Sequence, residues 1–220
     1  MPRLWIDIET IPTQRTEEIE RIKAEVEEHN AQLAKPHSTV RVAELVDEAW
    51  RKTALDGAFG ELVCVGVAID DAPVATLQRL PANPERWLLE EVAALLAALS
   101  RPYQVCGHNV AGFDRPFLRH RALVYGVRLP VWFTRPLKPW DAVGCDTMLA
   151  WTGGAPGKGI SLDKLCRALG VPGKDGFDGS MVWDAIRDGR LQQVAEYCAD
   201  DVRRARACGD RLFSEGGDDV

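Results

Sequence analysis

Near its start the chain reads RLWIDIE over residues 3–9, a run in which two carboxylates alternate with two isoleucines. Aromatic and β-branched residues at this density predict a strand, closed by Thr10 and Pro12. Alternate residues of a strand share a face, so Asp7 and Glu9 project to one side while Ile6 and Ile8 face the other. Any fold built on this strand must bury the isoleucine face and find something to set against the acidic one. Like charges held this close beside an apolar core repel and raise each other's pKa unless a cation offsets them, which points to a divalent metal site. A surface acidic pair on an edge strand is the plainer alternative.

The order of the remaining segments predicts an α/β fold. Residues 14–34 set Ile19, Ile22, Val26 and Leu33 among dense charge, the pattern of a solvent-exposed helix, and a second helix is expected over 42–54. Together they form an insertion, 14–55, between the first two strands. Strand two is ELVCVGVAI at 61–69; Asp70, Asp71 and Pro73 turn the chain into strand three at 74–80. Pro84 opens a helix whose apolar face runs to Ser100. A short strand at 104–109 and a helix from Phe113 to Val124 follow. Residues 126–160 read mostly as loop around a short element at 145–151, and helices are expected at 162–169, 180–188 and 191–213. Strands first, then strand and helix in alternation, argue for one mixed sheet with flanking helices. One domain is expected over 1–213, with 214–220 a disordered tail.

Composition removes whole classes. With 46% hydrophobic and 27% charged residues, the chain is neither disordered nor fibrous. Its longest apolar runs, 62–69 and 92–99, are too short to cross a bilayer, which takes about 20 residues. Asp7 interrupts the first apolar stretch, so a cytoplasmic protein is expected. The six cysteines include no Cys-x-x-Cys pair and do not cluster with the four histidines; they read as reduced, buried and structural. The net charge of −6 is unevenly spread: residues 101–140 hold seven basic groups and one acidic, against ten and eighteen over residues 1–100. An acidic protein binds nucleic acid where positive charge is locally gathered, so Arg101 to Lys138 is either such a contact or a solvated helix face.

Two further segments carry acids in telling contexts. In GHNVAGFDRPFL, residues 107–118, Pro116 belongs in a first helical turn, so Asp114 sits at a helix N-terminus, where a carboxylate also serves as a cap. Asn109 and Phe113 beside it have the chemistry to hold a sugar and stack on a base, or to serve as turn amide and core aromatic. In AEYCADDVRRARA, residues 195–207, Tyr197 and Asp201 are four apart and share a helix face, with Glu196 and Asp200 on the neighbouring one.

Taken in order, DIET, GHNVAGFD and YCADD resemble the three motifs of the DEDDy 3′–5′ exonucleases, within the DnaQ-like, RNase H-like superfamily. The middle motif is most similar to that of the proofreading domains of B-family DNA polymerases. The segments SLDKLCRALGVPGK, DGSMVWD and YCADDV resemble the stand-alone bacterial branch of that group. The resemblance covers residues 3–12 and about 58–206, leaving the insertion and tail outside it. It implies a mixed five-stranded RNase H-like sheet with early antiparallel strands and helices on both faces. It also implies two Mg²⁺ or Mn²⁺ ions roughly 3.5–4 Å apart, held by Asp7, Glu9, Asp114 and Asp201. Asp7 would bridge both ions, Glu9 and Asp201 would serve the nucleophile side, and Asp114 the other. One ion would lower the pKa of a water and the second would stabilise the leaving 3′ oxygen. Tyr197 would orient the attacking water, since a phenol of pKa near ~10 is a poor base. Thr10, Asn109 and Phe113 would touch the terminal nucleotide.

The implied activity is hydrolysis of single-stranded nucleic acid, DNA favoured over RNA, from its 3′ end to nucleoside 5′-monophosphates, as in DNA repair. An exoribonuclease with the same site and a non-catalytic nucleic-acid-binding scaffold are the alternatives. The insertion would block long duplexes, clamp a strand or tether a protein partner. Asp146, in GCDTM, reads as structural.

Overall fold

A computed structural model describes all residues except 137, 156, 174–175 and 214–220. The tail expected to be disordered, 214–220, therefore lies outside the described residues. The strands are β1 (Arg3–Ile11), β2 (Glu61–Ile69), β3 (Ala75–Gln78) and β4 (Gln104–Cys106). The insertion carries α1 (Thr16–Ala31) and α2 (Thr39–Lys52), and α3 (Glu85–Ala98) links β3 to β4. After β4 come α4 (Asp114–Tyr125), α5 (Val131–Thr134), α6 (Pro139–Val143), α7 (Thr147–Thr152), α8 (Leu162–Leu169), α9 (Val182–Arg187) and α10 (Leu191–Leu212).

The sheet order is β3-β2-β1-β4, with β1 antiparallel to β2 and parallel to β4. Among the described residues this corrects the expected five strands to four. The place of a fifth is reduced to one parallel bridge between Gly107 and Asp146. Asp146 is already the N-cap of α7, its carboxylate accepting from Met148 N at 3.0 Å and Leu149 N at 3.2 Å, so the chain enters a helix after a single paired residue. The strand expected at 104–109 ends at Cys106, because Asn109 turns the backbone into the left-handed region at φ +59°. Two short helices, α5 and α6, occupy the stretch read as loop.

Helices cover both faces of the sheet, as expected. Leu4, Ile6 and Ile8 of β1 join Leu88, Leu89 and Val92 of α3 and Phe117 and Leu118 of α4 in one core. Trp5 and Ile11 face the opposite way, toward α10. A bulge adjusts β2 to this arrangement: Glu9 lies opposite Cys64 but Thr10 opposite Leu62, which leaves Val63 without a partner. The extra residue switches the parity of β2, so Leu62 packs with Val65 and Val67 while both Val63 and Cys64 face the other core.

A buried ion pair braces the far side. Arg121, fully buried, donates to Glu85 at 2.8 and 2.6 Å and to Ala58 O at 2.9 Å, and Glu85 also accepts from Leu62 N at 2.9 Å. Among the described residues no helix is long and apolar enough to cross a membrane, and all six cysteines are buried and free.

The helix that matters most for the site, α10, lies close on the sheet at Gly66, the residue opposite Asp7 in register. A Cβ there would stand 2.9 Å from Val202 Cγ2, 3.1 Å from Cys198 Sγ and 3.2 Å from Cys198 O. Gly66→Ala must therefore lift α10, and is expected to cost about 1–3 kcal/mol and lower Tm by roughly 2–10 °C in thermal unfolding. Gly173→Ala, whose added Cβ meets nothing within 4 Å, is not expected to lower it.

Candidate active site

Asp7 and Glu9 lie on the α10 face of β1, and their carboxylate oxygens stand within 4.8 Å of each other and of Cys198 Sγ. Asp7 Oδ2 is buried and has no hydrogen-bond partner among the described residues. A shielded carboxylate oxygen without a donor costs free energy unless it carries a proton or meets a cation. Burial, then the charges of Glu9 and Asp114, hold the pKa of Asp7 well above the ordinary carboxylate range.

Asp114 reaches the same point from the start of α4. The parallel pairing of β1 and β4 covers only Arg3 to Trp5 against Gln104 to Cys106. Past that, the Asp114 carboxylate takes the place of a strand partner and accepts from Ile8 N at 3.0 Å. The connecting loop is braced by Asp146, fully buried, which accepts from Asn109 N and Ala111 N at 3.0 Å each. Asp114 is only 3% exposed. Burial pushes its pKa up to about 7; hydrogen bonds from its own and the Ile8 backbone N–H oppose the rise, and the charge of Asp146 adds to it.

From α10 come Tyr197 and Asp201. Tyr197 packs on Phe177 with ring centroids 4.9 Å apart. Burial, then the charges of Glu9 and Asp7, raise its pKa, so the phenol stays protonated at neutral pH. Asp201 is buried and paired with Arg204, which also reaches Asp163 at 2.9 Å. Asp200 is exposed and pairs with Arg203. The structure thus gathers Asp7, Glu9, Asp114 and Tyr197, and holds Asp201, one turn past Tyr197 on α10, in an ion pair with Arg204 outside the tight Asp7–Glu9–Cys198 cluster.

Two residues of the site carry no motif role of their own. Cys198 donates its thiol to Asp7 O at 3.5 Å, and burial raises its pKa far above the thiol's usual value, so it acts as a packed donor. Arg204 is the cation beside Asp201; its position three residues on is an ion-pair spacing visible in the sequence.

The residues expected to touch a nucleotide are spread around this centre. Thr10 donates its hydroxyl to Ala54 O at 2.6 Å, which ties the inner end of the insertion to β1. Trp50 Nε1 adds a bond to Thr13 O at 2.9 Å. Phe113 lines a cavity of about 240 Å³ together with Leu55, Gly57 and His120, and packs on Phe117 at 5.5 Å. The donor set is oxygen-rich and the orphaned Asp7 Oδ2 lies within it, so these residues fit hard divalent cations such as Mg²⁺ or Mn²⁺.

Over residues 58–205 the chain matches the family described as "Predicted 3'-5' exonuclease related to the exonuclease domain of PolB". Among solved structures it is similar to the family B DNA polymerase from the hyperthermophilic archaeon Pyrobaculum calidifontis, at 18% sequence identity and a TM-score of 0.62. The match covers 97% of this chain and 24% of that one, so the chain spans about a quarter of the polymerase's length, and the likeness is one of fold. Comparison with curated proteins gives no match.

The raised pKa values of Asp7 and Asp114 both contribute to the pH dependence of the metal-free protein, and that of Asp114 places its window. A carboxyl lifted from 3.8 to about 7 on folding holds its proton more tightly in the folded state. The stability contributed by this group is then fullest below about pH 4 and is lost as pH rises through 7, by up to about 4 kcal/mol. In EDTA, Tm is expected to drop between pH 5 and pH 8, less so in Asp114→Asn, and Mn²⁺ at pH 8 is expected to restore it. A Tm at pH 8 indifferent to Mn²⁺ would contradict the cation assignment.

Proposed function

The chain belongs to the family of predicted 3′–5′ exonucleases related to the exonuclease domain of B-family polymerases, and from that premise we propose how it acts. It shortens single-stranded nucleic acid, DNA in preference, from the 3′ end and releases nucleoside 5′-monophosphates with two Mg²⁺ or Mn²⁺ ions. The observation that carries the metal-dependent reading is Asp7 Oδ2, a shielded oxygen without a donor, flanked by the charges of Glu9 and Asp114.

Asp7, Glu9, Asp114 and Asp201 would hold the ions. When bound, these supply Lewis acidity, lowering the pKa of water and countering charge on the leaving 3′ oxygen. Tyr197, kept neutral by its surroundings, orients the attacking water through a hydrogen bond rather than taking its proton. Arg204, bridging Asp201 and Asp163, holds the Asp201 carboxylate in place on α10. The Ile8 N–H likewise fixes the position of the Asp114 carboxylate.

Phe113 offers a face for the terminal base in the cavity it shares with Gly57, and Thr10 and Asn109 would contact the same nucleotide. One wall of that cavity comes from the inner end of the insertion, anchored through Thr10 and Trp50. A pocket closed on that side suits a single strand entering by stacking and backbone contact, without base-edge readout.

The test is incubation with 5′-labelled single-stranded DNA and RNA of matched sequence in Mg²⁺, Mn²⁺ or EDTA. The expected result is a ladder shortening from the 3′ end, faster on DNA, absent in EDTA and abolished in Asp7→Asn and Asp201→Asn. Asp200→Asn is expected to be nearly silent, since its carboxylate is exposed and engaged by Arg203. The reverse result for the two aspartates would refute the register on α10. Faster RNA cleavage would make the enzyme an exoribonuclease, and binding without cleavage of either strand would make it a scaffold.

A further inference from the structure

The helix that delivers Asp114 also carries a cation that the carboxylate chemistry does not use. Arg115 is only 8% exposed. Its Nε and Nη2 donate to Phe133 O at 3.2 and 2.6 Å, and Nη2 also donates to Arg135 O at 3.1 Å. Among the described residues these bonds all go to main-chain carbonyls and none to a carboxylate, which leaves the two N–H groups of Nη1 uncommitted. Arg121, equally buried on the same helix, is by contrast matched by Glu85. Arg135 stands close enough to Arg115 to repel it. Asp141, exposed, shares a second cavity with Arg115 and Arg135, and the Phe133 ring lies against the Arg115 guanidinium at 5.7 Å; two guanidiniums this close, one of them buried, still favour an anion between them.

Space for that anion is present. Arg115, Arg119 and Arg135 line one cleft of about 350 Å³, with Ala111 on its wall. Ala111 belongs to the loop that sets Asp114 in place, so the cleft and the candidate active site share that loop. Arg119 is five residues past Asp114, about 7.5 Å along the helix axis. The acidic residue of the 101–140 segment is Asp114, and its carboxylate is turned to β1. Arginine forks match phosphate oxygens in geometry as well as charge.

We propose that this cleft binds the phosphodiester backbone of the strand whose 3′ end enters the carboxylate site, with Arg115 as the fixed cation and Arg119 and Arg135 as its exposed partners. The assignment rests on the exonuclease reading and adds to it a strand-binding track, outside the Thr10, Asn109 and Phe113 contacts. It gives the basic segment legible in the sequence a defined place and a ligand.

The experiment measures fluorescence anisotropy of a fluorescein-labelled single strand of about twelve thymidylates in EDTA, across a range of NaCl concentrations. In the wild type, log affinity falls with log salt; each phosphate contact on a single strand contributes about 0.7 to that slope. Arg119→Ala/Arg135→Ala, two exposed positions chosen to spare the fold, is expected to flatten the slope by about 1.4 and weaken binding at low salt at least tenfold. Arg119→Lys/Arg135→Lys is expected to keep most of the slope. An unchanged slope in the alanine double variant, with a wild type that shortens the strand in Mg²⁺, would overturn the cleft assignment alone. A wild type that neither binds nor shortens the strand would overturn the exonuclease reading and the cleft together.

Discussion

Asp7 stands in the central part of β1, with β2 paired along one edge, Asp114 against the other and α10 across its face. A carboxylate in such a place must be protonated or matched by a cation, and the surrounding groups are arranged around that choice. Glu9 and Asp114 add negative charge instead of relieving it, and the one helix close enough to help brings a neutral phenol and a neutral thiol. The protein's own cation on that side, Arg204, is committed to Asp201 and Asp163. Among the described residues Asp7 Oδ2 is left without a hydrogen-bond partner beside two further carboxylates, the electrostatic condition under which divalent ions bind.

Such a cluster holds its shape because the rest of the fold is rigid around it. The α3–α4 core clamps the isoleucine face of β1, and the bulge after Glu9 lets β2 serve both cores. Gly66 lets α10 settle onto the strand pair at the level of Asp7. Asp146 stiffens the loop before α4 with main-chain hydrogen bonds, so the carboxylate of Asp114 arrives in one place. The buried Glu85–Arg121 pair joins α3, α4, β2 and the inner end of the insertion, the elements that form the opposite wall. Positive charge is placed apart from the carboxylates, along α4 and the start of the segment after it, which separates the chemistry from the strand it acts upon.

Local patterns were the readable part. The period-two alternation of β1 placed Asp7 and Glu9 on one face because backbone geometry alone decides it. Helix α8 has the expected bounds, since Ser161 caps it and Gly170 closes it at φ +64°. Features decided by distant parts of the chain were not readable. Nothing near Glu85 announces that its partner is Arg121, 36 residues away. The missing fifth strand reflects a competition at Asp146, where capping α7 ends the pairing that a β-branched or apolar run would have extended. The pairing of Asp201 with Arg204 shows a limit of another kind: the spacing was visible, but its burial and the bridge to Asp163 depend on where α8 packs. Three motifs in order propose the four carboxylates and Tyr197 as a set, of which the structure brings Asp7, Glu9, Asp114 and Tyr197 together, whereas Cys198 and the cleft around Arg115 emerge only when helix and loop are seen together.

The central claim is that this crowd of carboxylates is a binding site for two divalent ions. Calorimetric titration of the metal-free protein with Mn²⁺ at pH 8 tests it without reliance on any substrate. Saturable binding of two ions per chain, weakened at least tenfold in a folded Asp7→Asn variant, is the predicted result. No saturable binding, or binding that the Asp7 substitution leaves unchanged, would contradict it.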